Sequence, residues 1–339
     1  MSFLKSIFGR KKENAQESEE KTLVTGSVEK GSDRQGEKEA DILKFDALRA
    51  MKMGEVAFAL KALTKALELR PEFETRFYYA EALTLNGQET EALKQYDLLL
   101  EEYPQHSLCL KNRASLKIVA EDYKGALEDI ELALQVEEAE EQRIVLYQQR
   151  AKAYLMLQEF DKACTAAEEA IVLKTPFPAA YLYKTEALIG LQRLEEANSF
   201  VQEALSLFPE EERFSLLQAK IALVQKDYTA AYRAYQDTLE KDPFSEEAYC
   251  GITCLMVQEG KSEEAIDFLE RALEEQSLGY TTLSLLANLY RKKGLVEKEQ
   301  KLQEQMKELA SSEEAGPVDF IQLYYKGTAY GEIFGNLMS

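Results

Sequence analysis

The 339-residue sequence has no tryptophan, a single histidine, four cysteines and seven prolines. Each scarcity excludes something. One histidine cannot build a His-cluster metal site or a mechanism that needs two imidazoles. No apolar run reaches the length of about 18 residues needed for a membrane-spanning helix. Positive charge is in deficit: 41 Lys and Arg stand against 61 Asp and Glu, a formal net charge of −20. Such a balance repels phosphates, so no nucleic-acid partner is expected. The sequence also lacks a phosphate-cradling glycine loop, a nucleophile elbow and metal-ligand spacing. No catalytic residue, no cofactor and no metal site are therefore expected. His106, just after Pro104, reads as a solvated turn residue.

The cysteines Cys109, Cys164, Cys250 and Cys254 are scattered through alanine-rich helical text. They do not form a secreted disulfide framework. Cys250 and Cys254, at i and i+4, share a helix face with no third ligand nearby, and read as reduced thiols. Met1–Lys12 has no small-residue cleavage site. A reducing, cytoplasmic and bacterial setting is the expectation.

What the sequence does contain is a repeat. An alanine that opens a helix after a turn recurs at Ala59, Ala92, Ala126, Ala163, Ala197, Ala231 and Ala265, with spacings of 33, 34, 37, 34, 34 and 34. Seven residues on come Ala66, Leu99, Ala133, Ala170, Ala204, Thr238 and Ala272. Twelve residues before it come Ala47, Ala80, Ala114, Ala151, Thr185, Ala219 and Thr253. Small residues at these places let antiparallel helices approach closely. Pro71, Pro104, Pro209 and Pro243 follow the second helix of their repeats, where a ladder of hydrogen bonds must stop. The apolar period is that of a helix, with no period-2 alternation. The unit is a pair of helices, and the fold class is all-α.

This pattern resembles the tetratricopeptide repeat family. The resemblance covers residues 40–310, about eight repeats, and implies a right-handed α-solenoid with a C-terminal capping tail. The eighth copy keeps Ala287, Tyr290 and Gly294, but Glu299 replaces the key alanine, as suits a last helix with nothing to pack on. The fourth copy begins three residues late, after an acidic run at Glu137–Glu141. The resemblance further implies a concave groove lined by first helices and holding a peptide or helix of a protein partner. Mapped onto this chain, the groove positions are Phe77, Tyr78 and Glu81; Lys111, Asn112 and Ser115; Gln148, Gln149 and Lys152; Leu182, Tyr183 and Glu186; and Leu216, Leu217 and Lys220. Exposed apolar side chains there mark a binding surface, with the lysines placed to meet acidic groups. A carboxylate clamp of the kind some family members carry would need lysines and asparagines where this chain has Lys44, Leu48, Tyr78, Leu108 and Asn112, and that set does not supply it.

Two ends stand outside the repeats. Residues 1–12 place Phe3, Leu4, Ile7 and Phe8 on one helical face beside Lys5, Arg10, Lys11 and Lys12. Phe3, Leu4, Ile7, Phe8, Lys11 and Lys12 would contact an anionic membrane surface, weakly and reversibly, because burial gains and ordering costs nearly cancel. The alternatives are a basic start without that role, and docking on protein. Residues 13–39 read as a disordered linker. Residues 311–339 carry an aromatic tail that either caps the last repeats or serves as a ligand for a groove. The expected function is a protein-interaction scaffold, with a membrane-surface adaptor as the first alternative and an enzyme with an unrecognised site as the second.

Overall fold

The computed structural model describes residues 29–173 and 177–312. Sixteen α-helices, and no strands, occupy those residues, and they fall into eight consecutive pairs. The pairs are α1 (Glu29–Lys52) with α2 (Val56–Leu69), α3 (Phe73–Leu85) with α4 (Glu89–Glu102), α5 (Ser107–Val119) with α6 (Tyr123–Val136), and α7 (Glu140–Met156) with α8 (Phe160–Val172). Then come α9 (Pro178–Gly190) with α10 (Leu194–Leu207), α11 (Glu212–Val224) with α12 (Tyr228–Lys241), α13 (Glu246–Gln258) with α14 (Ser262–Glu275), and α15 (Tyr280–Lys293) with α16 (Val296–Ser312). The fold is an all-α array of helix pairs. It divides into two compact units at Leu99 and Leu100, within α4.

One turn geometry closes every pair. The first helix always ends at a single residue with positive φ: Gly54, Gly87, Glu121, Gln158, Gln192, Lys226, Gly260 and Gly294. The N–H of the residue after it reaches back five residues, as Asp227 does to the Ala222 carbonyl (2.8 Å) and Lys261 to Met256 (2.9 Å). The N–H of the left-handed residue reaches back three, as Gln158 does to Leu155 (2.9 Å). These two bonds satisfy carbonyls that a helix end would otherwise leave open. The residue after the left-handed one then starts the second helix. Its carbonyl accepts from the repeat alanine, as Glu55 does from Ala59 (3.1 Å) and Asp227 from Ala231 (3.0 Å). The alanine position is thereby fixed relative to the first helix, which is why its period drifts so little.

The small positions are the contact points. Ala59, Ala92, Ala126, Ala163, Ala197, Ala231 and Ala265 are all fully buried, and so are Ala47, Ala80, Ala114, Ala151, Thr185, Ala219 and Thr253. Thr185 and Thr238 bury their hydroxyls by donating to the carbonyls four residues back, Tyr181 (2.8 Å) and Ala234 (3.0 Å). Larger side chains fill the space between, among them Tyr96, Tyr235 and Phe214.

Several sequence expectations need correction. The helix α1 starts at Glu29, so residues 29–39 are helical and the linker does not extend to 39. At the other end α16 continues to Ser312, past the boundary expected at 310. The three-residue excess before the fourth repeat lengthens α7, which is 17 residues long where most first helices have 13. Arg143, in that added turn, donates to the Leu134 (3.0 Å) and Glu137 (3.1 Å) carbonyls and so closes the end of α6. His106 is half-buried rather than solvated. Its Nδ1 accepts from the Cys109 N–H (3.3 Å) and caps α5. Phe3, Leu4, Ile7, Phe8, Lys11 and Lys12, and the tail from residue 313 onward, lie outside the described residues.

Candidate functional site

Within the unit from Leu100 onward, first helices meet one another as well as their own partners: α5 touches α7, α7 touches α9, and α9 touches α11. Side chains on the shared face of these helices are therefore neighbours across repeats. A cavity of about 350 Å³ opens on that face. Its walls are Leu155 and Met156 of α7, Leu182 and Tyr183 of α9, and Leu216 and Leu217 of α11. Five charged side chains join them: Lys152, Glu186, Arg213, Lys220 and Glu247.

Burial sets the electrostatics of the cavity. It pushes the Glu186 carboxyl above the ordinary carboxylate range, an effect that Lys220, Arg213 and Lys152 oppose and Glu247 reinforces. It pulls the Lys220 ammonium below the ordinary lysine range, against the attraction of Glu186 and Glu247. Desolvation disfavours the charged form of each group, and the neighbouring opposite charge restores part of it. The lining holds three cations and two carboxylates, and Glu211 pairs with Arg213 (2.5 Å), so the charges there balance. Nearby on α7, Gln148 Nε2 and Gln149 Oε1 are buried without a hydrogen-bond partner.

The groove residues expected from the sequence separate into two sets. Lys152, Leu182, Tyr183, Leu216, Leu217 and Lys220 come together around this cavity, with Glu186. Leu182 (4% exposed) and Leu217 (6%) are not the open apolar residues expected, because packing between α9 and α11 covers them; Tyr183 and Leu216 are half-buried. The second set lies elsewhere. Phe77 turns toward its own repeat, with ring centroids 5.8 Å from Tyr78 and 6.2 Å from the buried Tyr96. Glu81 lies on the same helix, half-buried. Lys111 donates to Gln142 (2.8 Å), and Gln149 donates to Ser115 (2.5 Å), so these residues tie α5 to α7. Asn112 is half-buried on α5.

The sequence reading missed Leu155, Met156, Arg213 and Glu247. The signal was available. Arg213, Leu216 and Lys220 are spaced three and four apart, as are Gln148, Lys152 and Leu155, which is one stripe of a helix. Extending each triplet by a turn in either direction would have found Arg213 and Leu155.

The cysteines take no part in this site. All four are buried, and Cys250 has its thiol pushed far up by burial, which makes it inert. Among the described residues no group of three or more His, Cys, Asp and Glu side chains is placed to hold a metal ion. No helix among them is long and apolar enough to cross a membrane.

Helix pairs of constant turn geometry, joined through small buried positions and presenting first helices to one face, define a helical-repeat protein. A family model described as the tetratricopeptide repeat matches residues 47–107 and 186–246. Both stretches are tetratricopeptide repeats, and the helix pairs around them share that architecture. The chain is 29% identical over 110 residues to the Protein STIP1 homolog of Dictyostelium discoideum, covering 32% of this chain and 19% of that one. It is 24% identical over 244 residues to Tetratricopeptide repeat protein 34 of Mus musculus, covering 63% of this chain and 44% of that one. The chain thus spans less than half the length of either curated relative. Among solved structures it resembles a tetratricopeptide repeat protein from Parabacteroides merdae (TM-score 0.61, 16% identity, 74% of this chain and 98% of that one). It also resembles PilW, a type IV pilus biogenesis factor (TM-score 0.55, 17% identity, 62% and 96%). These similarities bear on the fold.

Proposed function

We propose that this chain is a protein-interaction scaffold that holds an apolar, acid-flanked helix or extended segment of its partner in the cavity on α7, α9, α11 and α13. Tetratricopeptide repeat proteins in general bind protein partners and act as scaffolds rather than catalysts. The observation that carries the finer reading is the cavity itself. Six apolar or aromatic side chains from three successive repeats border one concave space, with Lys152, Arg213 and Lys220 in the same lining. An apolar anchor buried there gains roughly 1.5–3 kcal/mol, and partner carboxylates would meet Lys152 of α7 and Lys220 of α11, while Arg213 is held by Glu211 (2.5 Å).

The test uses fluorescence polarisation of synthetic amphipathic peptides, one series with Asp and Glu flanking the apolar anchors and one with Ser and Gln. The acid-flanked series is expected to bind the full chain more tightly. Leu216→Asp should weaken it about tenfold or more, a loss of at least about 1.4 kcal/mol. Lys220→Glu should weaken the acid-flanked peptides more than the neutral ones. Equal binding by the wild type and both variants would place the site elsewhere.

A further inference from the structure

The first repeat leaves open a position that every later repeat closes. Five residues before the small residue of each first helix lies a side chain on the face turned toward the preceding repeat. In later pairs it is Thr75, Leu146, Ala180, Phe214 or Ala248, for example, and each is at most 2% exposed. Phe214 shows what covers it: its ring stacks on Phe208 at the end of the preceding second helix, with centroids 5.8 Å apart. The equivalent residue in α1 is Ile42, and it is 60% exposed. Phe45, three residues on, is 59% exposed, with the Lys44 ammonium over its ring (5.6 Å). Arg49 continues the stripe and is also exposed. Its equivalents, such as Ala153, Ile221 and Leu255, are buried. Thus, among the described residues, α1 presents the contact face of a first helix with no second helix before it to cover that face, as α2 covers α3, α6 covers α7 and α8 covers α9.

We propose that residues 3–8 of the same chain cover this face, with Phe3, Leu4, Ile7 and Phe8 packed on Ile42 and Phe45. Their spacing puts four large apolar side chains on one helical face, the property a covering helix requires. The connecting length fits. At 1.5 Å per residue, Ile42 lies about 20 Å along α1 from Glu29. A flexible chain as long as residues 13–28 has a root-mean-square span of about 20–24 Å. A returning segment therefore reaches Ile42 and Phe45 while running antiparallel to α1, the direction in which second helices meet the first helices that follow them. A tether this short supplies a local concentration in the millimolar range, so a modest contact suffices. The same four side chains cannot lie on α1 and in a lipid surface at once. Docking on the repeat and membrane contact are thus mutually exclusive states of one segment.

The test is an intramolecular cross-link in the full chain. The native cysteines are buried, so introduced thiols react selectively. Ser6→Cys with Asp46→Cys, treated with a short bismaleimide, is expected to give a cross-linked monomer. Ser6→Cys with Thr90→Cys, on an exposed site at the start of α4, is the control and should give none. Adding Phe3→Asp and Ile7→Asp, or Ile42→Asp alone, should abolish the cross-link while circular dichroism remains unchanged. Equal yields at Asp46 and Thr90, or cross-links only between chains, would overturn the proposal. So would co-sedimentation with phosphatidylserine vesicles by a protein that gives no Asp46 cross-link without vesicles, which would assign the segment to the membrane.

Discussion

Asp129 shows how a single side chain is committed to the fold. It lies almost wholly buried on α6 and accepts from Arg113 Nε (2.8 Å) and Nη2 (2.6 Å), with Lys117 Nζ at 2.8 Å. Asp129→Ala would leave two half-buried cations without their shared carboxylate. It should cost about 3 kcal/mol, measured by urea unfolding. An unchanged midpoint would mean that water already screens the cluster. The repeat alanines make the opposite demand. Ala231 is fully buried between α12 and its neighbours, so Ala231→Leu should overpack the site at a cost of about 1–3 kcal/mol. At this scale the sequence was highly legible, because a small residue repeated at fixed spacing reports a close helix contact wherever it occurs. Leu182 and Leu217 were less legible. A leucine on the groove face and a leucine between two first helices have the same local sequence, and only the packing of α9 against α11 separates them.

Among the elements, the turns and caps carry the most testable energetics. Four of the eight left-handed turn residues are not glycine, and such residues bear roughly 1–2 kcal/mol of steric strain. Gln192→Gly should relieve part of it, and Gly54→Ala should cost about 1 kcal/mol. A Cβ at Gly54 meets nothing within 4 Å, so any loss there comes from φ alone. Equal stability for Gly54→Ala in a melting experiment would contradict that account. His106 adds a pH dependence. Burial lowers its pKa below the ordinary histidine value of 6.5, and the neutral ring is the form that accepts from Cys109. The unfolded chain therefore binds more protons near pH 6. The contribution of the cap is present above pH 6.5 and fades as pH falls through that value toward the folded pKa. His106→Asn keeps an acceptor that does not titrate. The wild type should lose stability relative to this variant between pH 7.5 and 5.5, and a constant difference in melting temperature would disprove the assignment. The sequence did not disclose this cap, because a histidine after a proline in a turn reads as solvated until the Cys109 N–H is seen to point at it. Nor did it place the start of α1. Residues 29–39 have the composition of a linker, and nothing local to them marks the helix that continues into the repeat.

For the molecule as a whole, the period in the sequence already specified the number of pairs, since each turn copies the same two hydrogen bonds. The convergence of the cavity was only half legible. Positions on one helix can be aligned by spacing, but Glu247 enters from a fourth repeat, and that meeting depends on how successive first helices pack. The acidic balance belongs to this scale as well. With a formal charge of −20, self-repulsion opposes the compact state, so the melting temperature should rise as salt is increased from low ionic strength. A fall would mean that attractive pairs such as Lys44 with Glu74 (2.7 Å) outweigh the net repulsion. The central claim is that partners bind on the first-helix face at α7–α13. Its most direct test is to place a photo-cross-linking amino acid at Leu216, and separately at the exposed Leu132 of α6, in the full chain mixed with the tightest acid-flanked peptide. A cross-linked product is expected from position 216 and none from position 132. The reverse pattern, or equal products from both, would contradict it.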